Sequence, residues 1–135
     1  MAVNKLGSTY TSRLEMDNFK FSDTPFTFSF QSAKTGQTLI DTKDQTFIMQ
    51  DKFIQIDMKL PSQHIYGFGE RLADFELTEG AWTMWSHAVN TSESSQADGG
   101  KQTFGVHPFC LVKAEGEFLG IFFRSANAQA PLITF

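Results

Sequence analysis

Ile54-Gln55-Ile56-Asp57-Met58-Lys59-Leu60 sets an apolar side chain at every second position and a polar one between. A period of two belongs to a strand with one face on a core and the other toward solvent, and Pro61-Ser62 closes the run. Working outward, the pattern recurs upstream, where Phe26, Phe28 and Phe30 alternate with Thr27 and Ser29 after Pro25. Lys34-Thr35-Gly36-Gln37 then reads as a turn, Leu39-Ile40 as the return strand, and Asp41 to Asp44 as a second reversal. Downstream, Thr103 to Val112 and Phe118 to Arg124 flank Glu115-Gly116-Glu117, a hairpin signal with Gly at the turn. Both arms are apolar enough to be central strands. Fifteen phenylalanines add to the expectation, because aromatic residues are enriched in strands. The chain is read as all-β, an antiparallel β-sandwich.

Two stretches depart from this pattern. Between Leu72 and Gly80 the spacing of Leu72, Phe75 and Leu77 suits either a helical turn or an irregular loop. Asn90 to Gln102 is polar and rich in Ser and Gly with nothing to bury, which predicts a long exposed loop.

A length of 135 residues accommodates one domain with a core and is short for two, so residues 1–135 are expected to form a single sandwich. Hydrophobic residues make up 41% of the chain and charged ones 19%, a globular composition rather than a disordered one. A net charge of −4 and an isoelectric point near 5.2 leave no basic footprint for a phosphate backbone, so no nucleic-acid partner is expected. No apolar run approaches the roughly 20 residues of a membrane-spanning helix, and Met1 to Ser8 lacks the apolar core of a secretory signal. The single cysteine, Cys110, has no internal disulfide partner and leaves the redox compartment open.

Each chemically suggestive motif has a plainer counterpart. Gly67 and Gly69 flank Phe68, but no third glycine stands at the dinucleotide-fingerprint position and no capped helix follows. The glycines are better read as a bend or a close approach to another strand. Glu70 would need a second carboxylate roughly 5 to 9 Å away to hydrolyse a glycoside. Nothing in the sequence pairs with it, so Glu70 is assigned to satisfying backbone donors or pairing with Arg71. The three histidines, His64, His87 and His107, are scattered without ligand spacing, and neither a metal nor a cofactor is expected. Trp82 and Trp85 have two readings: a platform for the apolar face of a pyranose, or one core residue with its neighbour covering the sandwich edge. Asn90-Thr91-Ser92 forms an N-glycosylation sequon on the predicted loop. Pro108 holds His107 extended and lacks an amide donor, which suits a sheet edge or bulge leading into a strand where Cys110 is buried.

The order of these blocks carries a resemblance. Tyr66-Gly67-Phe68-Gly69-Glu70, then Trp82-Thr83-Met84-Trp85, then Phe104-Gly105-Val106-His107-Pro108-Phe109, then Gly120 to Ala128 ending in Ser125-Ala126-Asn127-Ala128 resemble the N-terminal, galactose-mutarotase-like β-sandwich domain of the glycoside hydrolase family 31 α-glucosidases. The resemblance runs from about Phe47 through Phe135, and residues before Phe47 carry no motif. It implies that the catalytic aspartates lie on a barrel absent from this chain, which is then a partial sandwich, inactive alone, packing on that barrel. It also implies a parent that is a retaining hydrolase of terminal α-linked glucose, acting on an α-glucan or oligosaccharide, and secreted, lysosomal or resident in the endoplasmic reticulum.

In that family the loop after the second Trp helps to shape the substrate pocket, often through an Asp. Here Trp85-Ser86-His87-Ala88-Val89-Asn90 has none, so His87 or Asn90 stands in as the hydrogen-bonding group, or the contact is lost. A missing sandwich strand would leave an open sheet edge, through which a homo-oligomer can pair. A free-standing carbohydrate-binding module and a purely structural domain remain as alternatives.

Overall fold

The computed structural model describes residues 3–6, 9–13, 17–85 and 102–135, with side chains described from Asn18 onward. Every regular element among them is a strand, and the strands pair antiparallel. The chain divides into two compact units, Met1–Pro61 with Ala114–Glu117, and Ser62–Lys113 with Phe118–Phe135.

The first unit is built on a five-stranded meander of β1 (Val3–Leu6), β2 (Thr9–Arg13), β3 (Asp17–Asp23), β4 (Phe26–Ser32) and β5 (Thr38–Asp41), lying in that order. The Phe alternation of β4 meets a second one on β3, with Phe19 opposite Phe30 and Phe21 opposite Phe28. The Phe19 and Phe30 rings sit 4.7 Å apart, the kind of cross-strand pair that stabilises a sheet by a few tenths to about 1 kcal/mol. The predicted turn after β4 forms because Ser32 Oγ accepts the amides of Lys34 and Thr35, while Gly36 takes φ +74° without steric cost. Thr42, buried, receives the Phe28 amide on its hydroxyl and returns a bond to the Phe28 carbonyl. The tip Ala114–Glu117 belongs to this unit as well, the Glu115 amide donating to Gln37 Oε1 and Thr35 Oγ1 to Glu117 Oε1.

The run from Ile54 to Leu60 differs from its expectation. It forms only a four-residue strand, β7 (Phe53–Ile56), paired with β6 (Phe47–Gln50) in a two-stranded hairpin. Past β7 the chain leaves β6, and Lys59 exchanges both backbone bonds with Asp41 at the end of β5. Ile54 is 61% exposed and Ile56 is exposed too, so the alternation that marked the strand does not bury its apolar face.

The second unit holds a three-stranded sheet in the order β11-β10-β8, from β8 (Ile65–Gly67), β10 (Phe109–Ala114) and β11 (Glu117–Phe122), and a short pair of β9 (Gly80–Ala81) and β12 (Leu132–Ile133). Here burial itself alternates along the strand. Cys110 and Val112 are buried while Phe109, Leu111 and Lys113 face outward, and Ile65, Phe68, Leu77, Trp82 and Met84 are buried in the same unit. The hairpin at Gly116, φ +71°, forms where Glu115-Gly116-Glu117 predicted it. Its second arm is not central, however: among the described residues β11 is an outer strand, and its Phe118 and Phe122 are exposed. The first arm starts later than expected, at Phe109, because Gln102 to Pro108 is occupied in other bonds. The segment from Leu72 to Gly80 is irregular rather than helical. Leu77 is buried, whereas Leu72 and Phe75 are exposed, so no helical apolar face forms.

Candidate functional site

Gly67 lies opposite Cys110 in the β8–β10 ladder, with φ +132°. A Cβ built on it would run into the Phe109 carbonyl oxygen and come within 2.9 Å of the Cys110 Cα. A glycine is required here for two reasons at once, the close approach and the backbone angle. The two strands then stay together beyond their regular pairing. The Phe68 amide donates to the Phe109 carbonyl at 2.9 Å, the His107 amide to the Gly69 carbonyl at 2.7 Å, and the Glu70 amide to the Gly105 carbonyl at 3.0 Å. Thus the Tyr66–Glu70 block and the Phe104–Phe109 block are two sides of one structure.

Glu70 closes this structure. Its carboxylate accepts the Gly105 amide at 3.0 Å, and its carbonyl accepts both the amide and the hydroxyl of Thr103, at 2.8 and 3.1 Å. A carboxylate bound to a backbone amide is a charge-assisted hydrogen bond of the kind that fixes a loop. The neighbouring Arg71 turns the other way, Nε donating to the Phe68 carbonyl at 2.7 Å and Nη2 to the Thr83 carbonyl at 2.9 Å. Its guanidinium carbon sits 5.2 Å from the centre of the Trp82 ring, within cation–π range. Burial lowers the Arg71 pKa from its ordinary value, yet a guanidinium keeps its charge in proteins.

The two tryptophans part company. Trp82 is 6% exposed, its indole N–H bound to the Thr78 carbonyl at 3.0 Å and its amide to the Pro131 carbonyl at 2.8 Å. Met84, also buried, exchanges both backbone bonds with Gln129. Trp85 is 65% exposed. Its amide donates to the side-chain oxygen of Gln102, whose nitrogen donates to the Gly105 carbonyl at 2.8 Å. Gln102 is therefore buried, not the exposed end of a polar loop. The competing effect is that of two backbone groups that only a side-chain amide satisfies at once.

Of the residues singled out in the sequence, Tyr66, Gly67, Gly69, Glu70, His107 and Pro108 come together with Gly105 and Thr103, while Trp82 and Trp85 lie beside Arg71 and Gln102. His87 and Asn90, with the sequon, lie outside the described residues. His64 stands apart from His107 and pairs with Glu76 at 2.5 Å on the surface. Among the described residues no group of His, Cys, Asp and Glu is arranged to hold a metal ion, and no helix is long and apolar enough to cross a membrane. Gln102, Thr103 and Gly105 carry the geometry without having stood out in the sequence.

An all-β antiparallel chain whose glycine-rich block is locked to a His-Pro-Phe block defines a class, the galactose-mutarotase-like β-sandwich. Residues 2–128 match the model of the glycosyl hydrolase 31 N-terminal galactose mutarotase-like domain, and the chain belongs to that family. The match reaches well upstream of Phe47, where the sequence carried no motif. Among similar proteins, lysosomal alpha-glucosidase of Rattus norvegicus is 33% identical over 114 residues, covering 82% of this chain and 11% of that protein. That of Mus musculus is 31% identical over 115 residues, 84% of this chain and 12% of the relative. Intestinal sucrase-isomaltase of Homo sapiens is 27% identical over 124 residues, 86% of this chain and 7% of the relative. The chain thus spans about a tenth of the length of the relatives it matches.

Proposed function

We propose that this chain is the non-catalytic N-terminal sandwich of a longer α-glucosidase-like glycoside hydrolase. In that protein it packs on a catalytic barrel outside residues 1–135 and presents the loop after Trp85 to the substrate pocket. The parent would release terminal α-linked glucose from an α-glucan or oligosaccharide. The observation that carries this reading is the state of Glu70. Its carboxylate is tied to the Gly105 amide, and among the described residues no second carboxylate joins its bonding network, so no acid–base pair of the kind that glycoside hydrolysis needs is built around it there. Support also comes from the large size of the relatives, whose names are those of glucosidases and related enzymes.

The test is hydrolysis of 4-nitrophenyl α-glucoside by the isolated chain. No turnover is expected; clear turnover lost in Glu70→Gln would sink the reading. A second reading, a carbohydrate-binding module acting on its own, is favoured by one observation, the exposed indole of Trp85. Saturable quenching of tryptophan fluorescence by maltose, lost in Trp85→Ala, supports sugar contact at this face, and a flat titration at millimolar maltose counts against it.

A further inference from the structure

Trp85 is exposed, yet the backbone that carries it is anchored by one side chain reaching from elsewhere in the sequence. Gln102 is 6% exposed, and both ends of its amide are engaged: the oxygen by the Trp85 N–H, the nitrogen by the Gly105 carbonyl. Gly105 is itself gripped from the other side by Glu70, through its amide and its carbonyl. The Gly105 carbonyl consequently accepts two bonds, from the Glu70 amide at 3.0 Å and from Gln102 at 2.8 Å. The backbone of Gln102 also bridges to Arg71, whose guanidinium stacks on Trp82 and holds the Thr83 carbonyl. From Glu70 to Trp85 the connection is therefore one continuous chain of hydrogen bonds.

We propose that Gln102 is the positioning residue of the Trp85 face, its amide holding the Trp85 backbone to Gly105 so that the indole is presented outward to the apolar face of a hexopyranose. The proposal rests on the reading of Trp85 as a sugar-contacting residue. An aromatic ring contacts a pyranose through a flat apolar face with few other bonds. Such a contact gains from a ring fixed before the sugar arrives, since ordering a side chain on binding weakens affinity. A glutamine fits the task because it supplies one acceptor and one donor from the same planar group. Methionine has a similar length and supplies neither strong partner. Glutamate keeps the acceptor toward Trp85 and loses the donor toward Gly105.

The experiment uses the full chain in three forms: the native sequence, Gln102→Met and Gln102→Glu. Hydrogen exchange of the Trp85 amide and maltose titration by tryptophan fluorescence are read on each. In the native chain the Trp85 amide is expected to be protected. In Gln102→Met it exchanges about tenfold faster or more, and maltose affinity falls about five- to tenfold, the order expected for one lost hydrogen bond. Gln102→Glu is expected to retain the protection of the Trp85 amide and recover part of the affinity. An unprotected Trp85 amide in the native chain overturns the proposal without any variant, and so does a Gln102→Met protein that binds maltose as the native chain does. If the native chain binds no maltose, the sugar role falls for Trp85 and Gln102 together, and the exchange data still separate that outcome from failure of the anchor itself.

Discussion

Strands β7 and β10 are both rich in apolar residues and end in opposite environments. In β10, Cys110, Val112 and Ala114 are buried, Val112 at 0% exposure, and Gly67 on β8 brings the neighbouring backbone into direct contact. In β7, Phe53, Ile54 and Ile56 are all exposed, and among the described residues the strand is paired with β6 alone. A period of two shows that a strand has two chemically different faces. Burial needs a second layer over one of them, and that layer is written elsewhere in the chain or in whatever covers it.

The sharpest way to break the contrast is Gly67→Ala. The new methyl would meet the backbone of Phe109 and Cys110 at a φ that L-residues rarely adopt, and the cost should exceed about 3 kcal/mol, read as a collapse of the urea midpoint or as loss of the soluble protein. Val112→Ala comes next: a fully buried position loses two methyl groups for about 2–3 kcal/mol. A midpoint shift of only a few tenths of a kcal/mol would mean that β10 is as loosely covered as β7.

The same face can be probed by pH through Cys110, whose thiol is pushed up to about 11 from 9.0 by burial. A folded-state pKa above the unfolded one contributes stability that is present below pH 9 and lost as pH rises toward 11. Unfolding at increasing pH should show that decline, and Cys110→Ala should lack it. Native Cys110 should also react with a thiol reagent at pH 8 far more slowly than the unfolded chain. Ile54→Ala should have the smallest effect, within about 0.5 kcal/mol. A loss near that of Val112→Ala would show that β7 is covered in solution, by another copy for instance.

The parts of the fold that the sequence made legible are those written locally. The turn at Gly36, the buried Leu39 and Ile40, and the hairpin at Gly116 depend on residues within a few positions of each other. Strands β1 to β3 formed no part of the expectation, although Phe19 and Phe21 alternate on β3, and β11 was placed centrally because nothing in an apolar strand says how many neighbours it has. The Tyr66–Glu70 and Phe104–Phe109 blocks were visible separately, and Glu70 was assigned to backbone donors. That the donor is Gly105, and that Gln102 belongs to the same network, is a matter of contacts 17 to 35 positions apart along the chain. Gln102 was hidden by its surroundings, since it ends a polar run in which every other residue reads as solvated.

Strand β11 has one further consequence. Phe118-Leu119-Gly120-Ile121-Phe122-Phe123 contains no charge and no proline, and the strand has a neighbour on one side only among the described residues. That composition favours stacking into cross-β fibrils, which natural edges resist with charges at their ends. Here Glu117 and Arg124 occupy both ends. The storage life of a concentrated solution should then be set by these two charges rather than by the depth of the core, and replacing both with alanine should shorten the lag before thioflavin-positive fibrils grow.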